Sequence, residues 1–118
     1  MCDLVPVIAA DRVPVGKPVR VQVNDRCCIV CNDDGSFHVT DGVCPHAGGP
    51  LGEGEVRDGC VVCPVHYWPW DLKTGLTDEN MPDFRLRVYP CELRDGTVYA
   101  AIPHEPPRTN YDLDCRQR

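Results

Sequence analysis

Four residues define the chemistry open to this chain: Cys44 and His46 in "CPHAGG", and Cys63 and His66 in "CPVHYWPWD". The spacing is Cys-x-His, sixteen residues, then Cys-x-x-His. A thiolate and an imidazole on each of two loops can meet at one metal centre. Two chemistries take two cysteines and two histidines. One is a tetrahedral zinc ion. The other is a two-iron, two-sulfide cluster in which two histidines replace two cysteines on one iron. Both tryptophans, Trp68 and Trp70, fall inside the second run. They either pack an ordinary core or shield the bound metal.

Loops of this kind need a rigid frame, and the rest of the chain reads as strands. "PVRVQV" puts Val19, Val21 and Val23 on one face and Arg20 and Gln22 on the other, the period-two alternation of a half-buried strand. "RCCIVC" is a continuous apolar run ending at "NDDG", a hairpin turn, and "SFHVT" returns as its partner. "EVRDGCVVC" turns at Asp58-Gly59, and "RLRVYPCELRDGTVYAAI" turns at Asp95-Gly96. Short strands with Asp-Gly turns predict an all-β fold, an antiparallel β-sandwich. The two Cys/His loops, about 43–52 and 63–75, leave from strand ends and form a small metal-binding subdomain. Residues 1–102 form the domain, and 103–118, polar and proline-rich, form a C-terminal tail.

Composition narrows the function classes. The 118 residues suit one domain. A net charge of -6 argues against a nucleic-acid partner. No apolar run approaches the length of a membrane span, and the N-terminus lacks the basic and apolar regions of a signal peptide. Nine cysteines, an odd number, point to thiols that are free or metal-bound in a reducing cytoplasm. Cys28-x-x-Cys31 and Cys60-x-x-Cys63 mimic redox pairs, but residues three apart on a strand face opposite ways. Cys27, Cys28, Cys31, Cys60 and Cys91 therefore read as buried strand residues. Cys2 and Cys115 lie near the termini, and His38 and His104 lack ligand spacing.

The two runs resemble the cluster-binding boxes of Rieske proteins, C-x-H-x-G-x-x-L and C-P-x-H-x-x-x-[aromatic]-D-x-x-T-G. Cys44, His46, Gly48 and Leu51 match the first box. Cys63, Pro64, His66, Trp70, Asp71, Thr74 and Gly75 match the second. Trp70 stands where Phe or Tyr is commoner. The resemblance implies one Rieske-type [2Fe-2S] cluster held by Cys44, His46, Cys63 and His66. Neutral histidines leave the oxidised cluster formally uncharged, which places the family's potentials at about -150 to +300 mV. The high-potential members carry an extra cysteine in each box, joined as a disulfide, and a serine two residues after the second histidine. Gly49, Val65 and Trp68 occupy those positions here, so a potential toward the low end is expected. Pro82 in "NMPDF" is the candidate for the family's proline loop over the cluster.

The implied role is a one-electron ferredoxin, not a stand-alone enzyme and with no catalytic residue of its own. It passes electrons from a flavin-containing reductase to a terminal oxygenase or similar redox enzyme. The family also offers the small subunit of an NAD(P)H nitrite reductase, and a structural zinc module is a remote third reading. Acids between Leu51 and Asp83 (Glu53, Glu55, Asp58, Asp71, Asp78, Glu79 and Asp83) outnumber the bases Arg57 and Lys73. They predict an acidic rim that steers partners.

Overall fold

The computed structural model describes residues 3–23, 26–45, 48–65, 67–78, 80 and 84–103. The fold is all-β, with ten strands in three antiparallel sheets among the described residues. The central sheet contains β2 (Val19–Val23), β3 (Arg26–Asp33), β4 (Ser36–Asp41) and β8 (Val88–Tyr89), in the order β2-β3-β4-β8. A second sheet, β1-β10-β9, is built from β1 (Leu4–Ala9), β9 (Cys91–Arg94) and β10 (Thr97–Ala101). The third, β5-β6-β7, joins β5 (Glu55–Arg57), β6 (Cys60–Val62) and β7 (Pro69–Asp71).

The apolar run "RCCIVC" is buried on both faces because β3 is the wall between two cores. Cys28 and Val30 face a core that Val39, Val98, Ala100 and Ile102 complete. Ile29 and Cys31 face the other, shared with Val56, Val61, Trp70, Leu72 and Leu86. Alternation along one strand thus ties the β-sandwich to the subdomain that carries the two loops. On β2 the valines are half-buried and Arg20 and Gln22 exposed, as the pattern predicts.

The three Asp-Gly pairs turn their hairpins as expected. Asp34, Asp58 and Asp95 have φ of 52°, 53° and 49°, and the glycines after them 98°, 76° and 78°. Positive φ at both central residues is what a two-residue turn between right-twisted strands requires. Two expectations change. The stretch 85–94 is not one strand: exposed Pro90, with no N–H to donate, separates β8 in the central sheet from β9 in the second. The loop 63–75 is not wholly irregular either, since Pro69–Asp71 pairs with β6 as β7.

The cysteines also divide. Cys28 and Cys31 are fully buried on opposite faces, and burial pushes the Cys31 thiol up to about 12, so it is inert. Cys60 and Cys91 are only half-buried. Cys27 corrects the reading of unbridged strand thiols: it is disulfide-bonded. No helix among the described residues is long and apolar enough to cross a membrane. The tail from residue 104, with His104 and Cys115, lies outside the described residues, as do Cys2 and Pro82.

Candidate functional site

The first loop leaves the end of β4, where a buried polar clamp fixes the strand. The Tyr89 hydroxyl donates to the Asp41 carboxylate, which Arg26 and Arg87 approach at 3.9 and 4.0 Å. Burial, then the Asp41 charge, pushes the Tyr89 phenol well above its usual range. Beyond the clamp, Val43 bridges Pro50 and the Leu51 N–H donates to Gly42 O at 3.0 Å. Leu51 is fully buried, so the loop closes onto the core at both ends.

Within that closure the Cys44 N–H donates to Gly49 O (2.9 Å), and the Gly48 N–H donates to Cys44 O (2.8 Å). The second loop repeats the frame. The Cys63 N–H donates to Trp68 O (3.0 Å), and the Tyr67 N–H donates to Cys63 O (2.9 Å). In each, a cysteine opens the turn and the residue four positions on is left-handed: Gly48 at φ 70° and Tyr67 at φ 61°. Glycine accepts that conformation freely, whereas tyrosine is strained by it.

The two turns abut. A Cβ built on Gly49 would lie 2.5 Å from Val65 Cγ2 and 3.0 Å from Cys63 Sγ, so glycine here makes room for Val65 of the second loop. Cys44 and Cys63 are 0 % and 1 % exposed and belong to one core with Trp70, Leu51 and Leu72. The structure brings these two expected ligands to one place. His46 and His66 lie outside the described residues.

Aromatic rings wall one flank. Trp68, half-buried, lies with its ring centroid 6.3 Å from that of Trp70 and 6.0 Å from that of Phe84, edge-on to the latter. Trp70 is fully buried, and its indole N–H has no hydrogen-bond partner among the described residues. The other flank is open. Val65 and Tyr67 are 45 % and 74 % exposed, beside a cleft of about 350 Å³ whose lining includes Lys17, Glu53, Glu55, Cys63 and Tyr67.

The tail of the second run is a structural turn. Asp71 Oδ1 accepts from the Lys73 N–H (2.7 Å) and the Thr74 N–H (3.0 Å), and the Thr74 bond leads in holding the Asp71 carboxyl below its usual range. The Gly75 N–H donates to Asp71 O at 2.8 Å. Gly75 has φ 79° and a Cβ there would lie 2.0 Å from Leu86 O, so this turn is packed against the segment that leads into β8. Of the seven acids of the expected rim, Glu79 and Asp83 lie outside the described residues. Asp71 and Asp78 cap turns and Glu55 pairs with Arg57. Glu53 is the exposed acid beside the second loop for which no ion pair is seen. The proximity of Gly49 and Val65 agrees with the resemblance, which puts the disulfide of the high-potential members at those two positions. The N–H of Trp70, without a partner among the described residues, escaped the sequence reading.

A family model for the Rieske [2Fe-2S] domain matches residues 3–90. The biphenyl dioxygenase ferredoxin subunit of Pseudomonas sp. (strain KKS102) is 33 % identical over 91 residues, covering 76 % of this chain and 84 % of that protein. The solved structure of a ferredoxin from Sphingomonas yanoikuyae B1 superposes with a TM-score of 0.76 at 27 % identity, covering 86 % of this chain and all of that one. A structure described as an NADH-dependent nitrite reductase small subunit from Mycobacterium tuberculosis superposes with a TM-score of 0.75 at 26 % identity, covering 87 % of this chain and 97 % of that one. The chain also matches the oxygenase component of a 3-ketosteroid-9-alpha-monooxygenase from Rhodococcus rhodochrous, 34 % identical over 90 residues, but spans only 23 % of that protein.

Proposed function

The chain belongs to the Rieske [2Fe-2S] domain family, and on that premise we propose that it is a cytoplasmic one-electron carrier whose single [2Fe-2S] cluster is held by Cys44, Cys63, His46 and His66. The observation that carries the ligand assignment is the pair of turns with one hydrogen-bond frame, each delivering a buried cysteine into one apolar core. The residues present fit the group. Two sequestered thiols offer soft ligands, the lack of a side chain at Gly49 lets the two loops abut, and the buried Trp70 N–H has no acceptor among the described residues. When bound, the cluster supplies reversible one-electron chemistry at iron.

The protein's own part is to hold, insulate and present. The backbone bonds of Cys44 and Cys63 fix both thiolates in place, which keeps rearrangement on electron transfer small. Trp68 packs against Trp70 and Phe84 beside the second loop. Val65 and Tyr67, the sequence neighbours of His66, expose apolar surface to a partner, and Glu53 adds negative charge beside them. A carrier that meets two partners in turn needs small, transient contacts. The partners we propose are a flavin-containing reductase as donor and a terminal oxygenase as acceptor; the name of the biphenyl dioxygenase ferredoxin subunit pairs that relative with an oxygenase.

The likeness to the nitrite reductase subunit supports a second acceptor, a sirohaem reductase, on the same cluster. A neighbouring gene for an oxygenase or for a sirohaem reductase separates the two. The cluster itself is tested by electron paramagnetic resonance after dithionite reduction, with iron and sulfide analysis. The wild type should be red-brown and give one reduced [2Fe-2S] signal, and Cys44→Ser and Cys63→Ser should lose both. A colourless, zinc-loaded wild type, or a coloured Cys44→Ser protein, would overturn the assignment.

A further inference from the structure

A chain of net charge -6 gathers three cations, Lys73, Arg85 and Arg87, around one cleft of about 370 Å³. The cleft lies between the turn at 71–75 and the segment that runs into β8, and it shares no lining residue with the cleft beside Cys63 and Tyr67. Few acids answer these charges. Asp41 approaches Arg87 at 4.0 Å, but its carboxylate also faces Arg26 and accepts from the Tyr89 hydroxyl. Asp71 feels the charge of Lys73, yet its Oδ1 already accepts from two amides. Exposed Arg85 directs its Nε–H to Thr74 O at 3.1 Å, and neither it nor exposed Lys73 makes a salt bridge among the described residues.

The cleft also contains a gap in a sheet edge. β8 is the last strand of the central sheet and pairs there with β4. The Asp41 N–H donates to Arg87 O at 3.0 Å, so that pair is hydrogen-bonded across the ladder. The next pair, Thr40 with Val88, is then a non-bonded one, and Val88 turns its N–H and C=O away from β4. On that outer side the Leu86 N–H donates to Gly75 O (2.7 Å), and Pro90 O accepts from the Ala101 N–H (2.9 Å). Between these two bonds, no described residue takes up the donor and acceptor of Val88. An open edge of this kind is a template for a further extended segment.

We propose that this cleft docks an extended, acidic segment of a partner protein, which pairs with the backbone of Val88 and sets carboxylates against Lys73, Arg85 and Arg87. A small anion would meet the cations alone, whereas an extended peptide uses the cations and the edge together. Alternate side chains of such a peptide share one face about 6.6 Å apart, so acids at every second position suit a row of cations. A partner held here leaves Val65 and Tyr67 uncovered. The tether raises the effective concentration for the second, transient contact at that face. The site stands on its own residues and does not depend on the cluster reading.

The test measures binding of a labelled, short peptide of alternating aspartate and valine to the whole protein by fluorescence anisotropy at low salt. The wild type should bind it and show slowed hydrogen exchange at the Val88 amide. Lys73→Glu and Arg85→Glu should each weaken binding several-fold, and Lys17→Glu, an equal change of net charge outside the cleft, should weaken it far less. Methylating the central amides of the peptide should also weaken it several-fold. Should Arg85→Glu disturb the turn that its side chain anchors, Lys73→Glu decides. The proposal is overturned if the wild type does not bind, or if Lys17→Glu loses as much affinity as Lys73→Glu. It is overturned as well if the methylated peptide binds equally and inorganic phosphate displaces it at matched ionic strength, which would make the cleft a small-anion site. A wild-type dimer in sedimentation that Lys73→Glu dissociates would give the cleft to a second copy of the chain and overturn it too.

Discussion

Replacing Gly49 by alanine tests the interlock of the two loops at one atom. Gly49 is not among the residues with positive φ, so the backbone accepts alanine there. Loss of glycine's freedom in the unfolded chain would by itself stabilise the protein by about 0.4–1 kcal/mol. The new methyl, however, would sit 2.5 Å from Val65 Cγ2, whereas carbon atoms in good contact are roughly 3.5–4 Å apart. Overpacking of that kind costs about 1–3 kcal/mol. The net expectation is a loss of about 1–2 kcal/mol, equivalent to roughly a 5–30-fold change in the folded-to-opened ratio. The clash is with one side chain, which makes it removable. Val65 is 45 % exposed, so Val65→Ala alone should cost under about 1 kcal/mol. In the double variant the nearest carbon becomes the Cβ of residue 65, at 3.4 Å, and the contact with Cys63 Sγ at 3.0 Å remains. Loss of visible absorbance in urea under anaerobic conditions is the assay, because cluster loss is irreversible and the meaningful quantity is a rate. Gly49→Ala should bleach about 5–30-fold faster than wild type, and the double variant at close to the rate of Val65→Ala. The reasoning fails if Gly49→Ala bleaches at the wild-type rate, or if Val65→Ala does nothing to relieve it.

Tyr67→Gly should be neutral or stabilising by up to about 1 kcal/mol, since it removes a left-handed tyrosine at φ 61° that is 74 % exposed. It should nonetheless slow electron transfer with the partner protein. A melt followed by colour, set beside stopped-flow reduction by the reductase, separates the two effects, and an unchanged transfer rate would remove Tyr67 from the contact. The Asp71 carboxyl is held below its usual range by the Thr74 and Lys73 amides. A depressed carboxyl stabilises the fold above its unfolded pKa, near 4, and that contribution fades as pH falls through the folded value. Wild type should therefore lose its advantage over Asp71→Asn on acidification from about pH 5 downward, as melts across that range would show. Finally, electron transfer from the reductase should slow as salt rises, because attraction between exposed charges is screened beyond about 8 Å at physiological ionic strength. Glu53→Lys should slow it further at low salt, and indifference to both would leave Val65 and Tyr67 to carry the docking.

The strands around the site were legible because their signals are local. Asp-Gly at 34–35, 58–59 and 95–96 demands a left-handed pair, and each pair turns a hairpin. The burial of "RCCIVC" was legible as an apolar run, though not that it divides two cores, since which element covers each face is a long-range fact. β7 was hidden because three residues beginning with proline carry too little pattern to distinguish a strand from a loop. Pro90 was visible in "VYPCEL", but whether a proline bends a strand or hands the chain to another sheet depends on partners elsewhere. Cys44 and Cys63 stood out by type and spacing. The orphaned N–H of Trp70 could not be read from sequence, because it is defined by what fails to lie beside it.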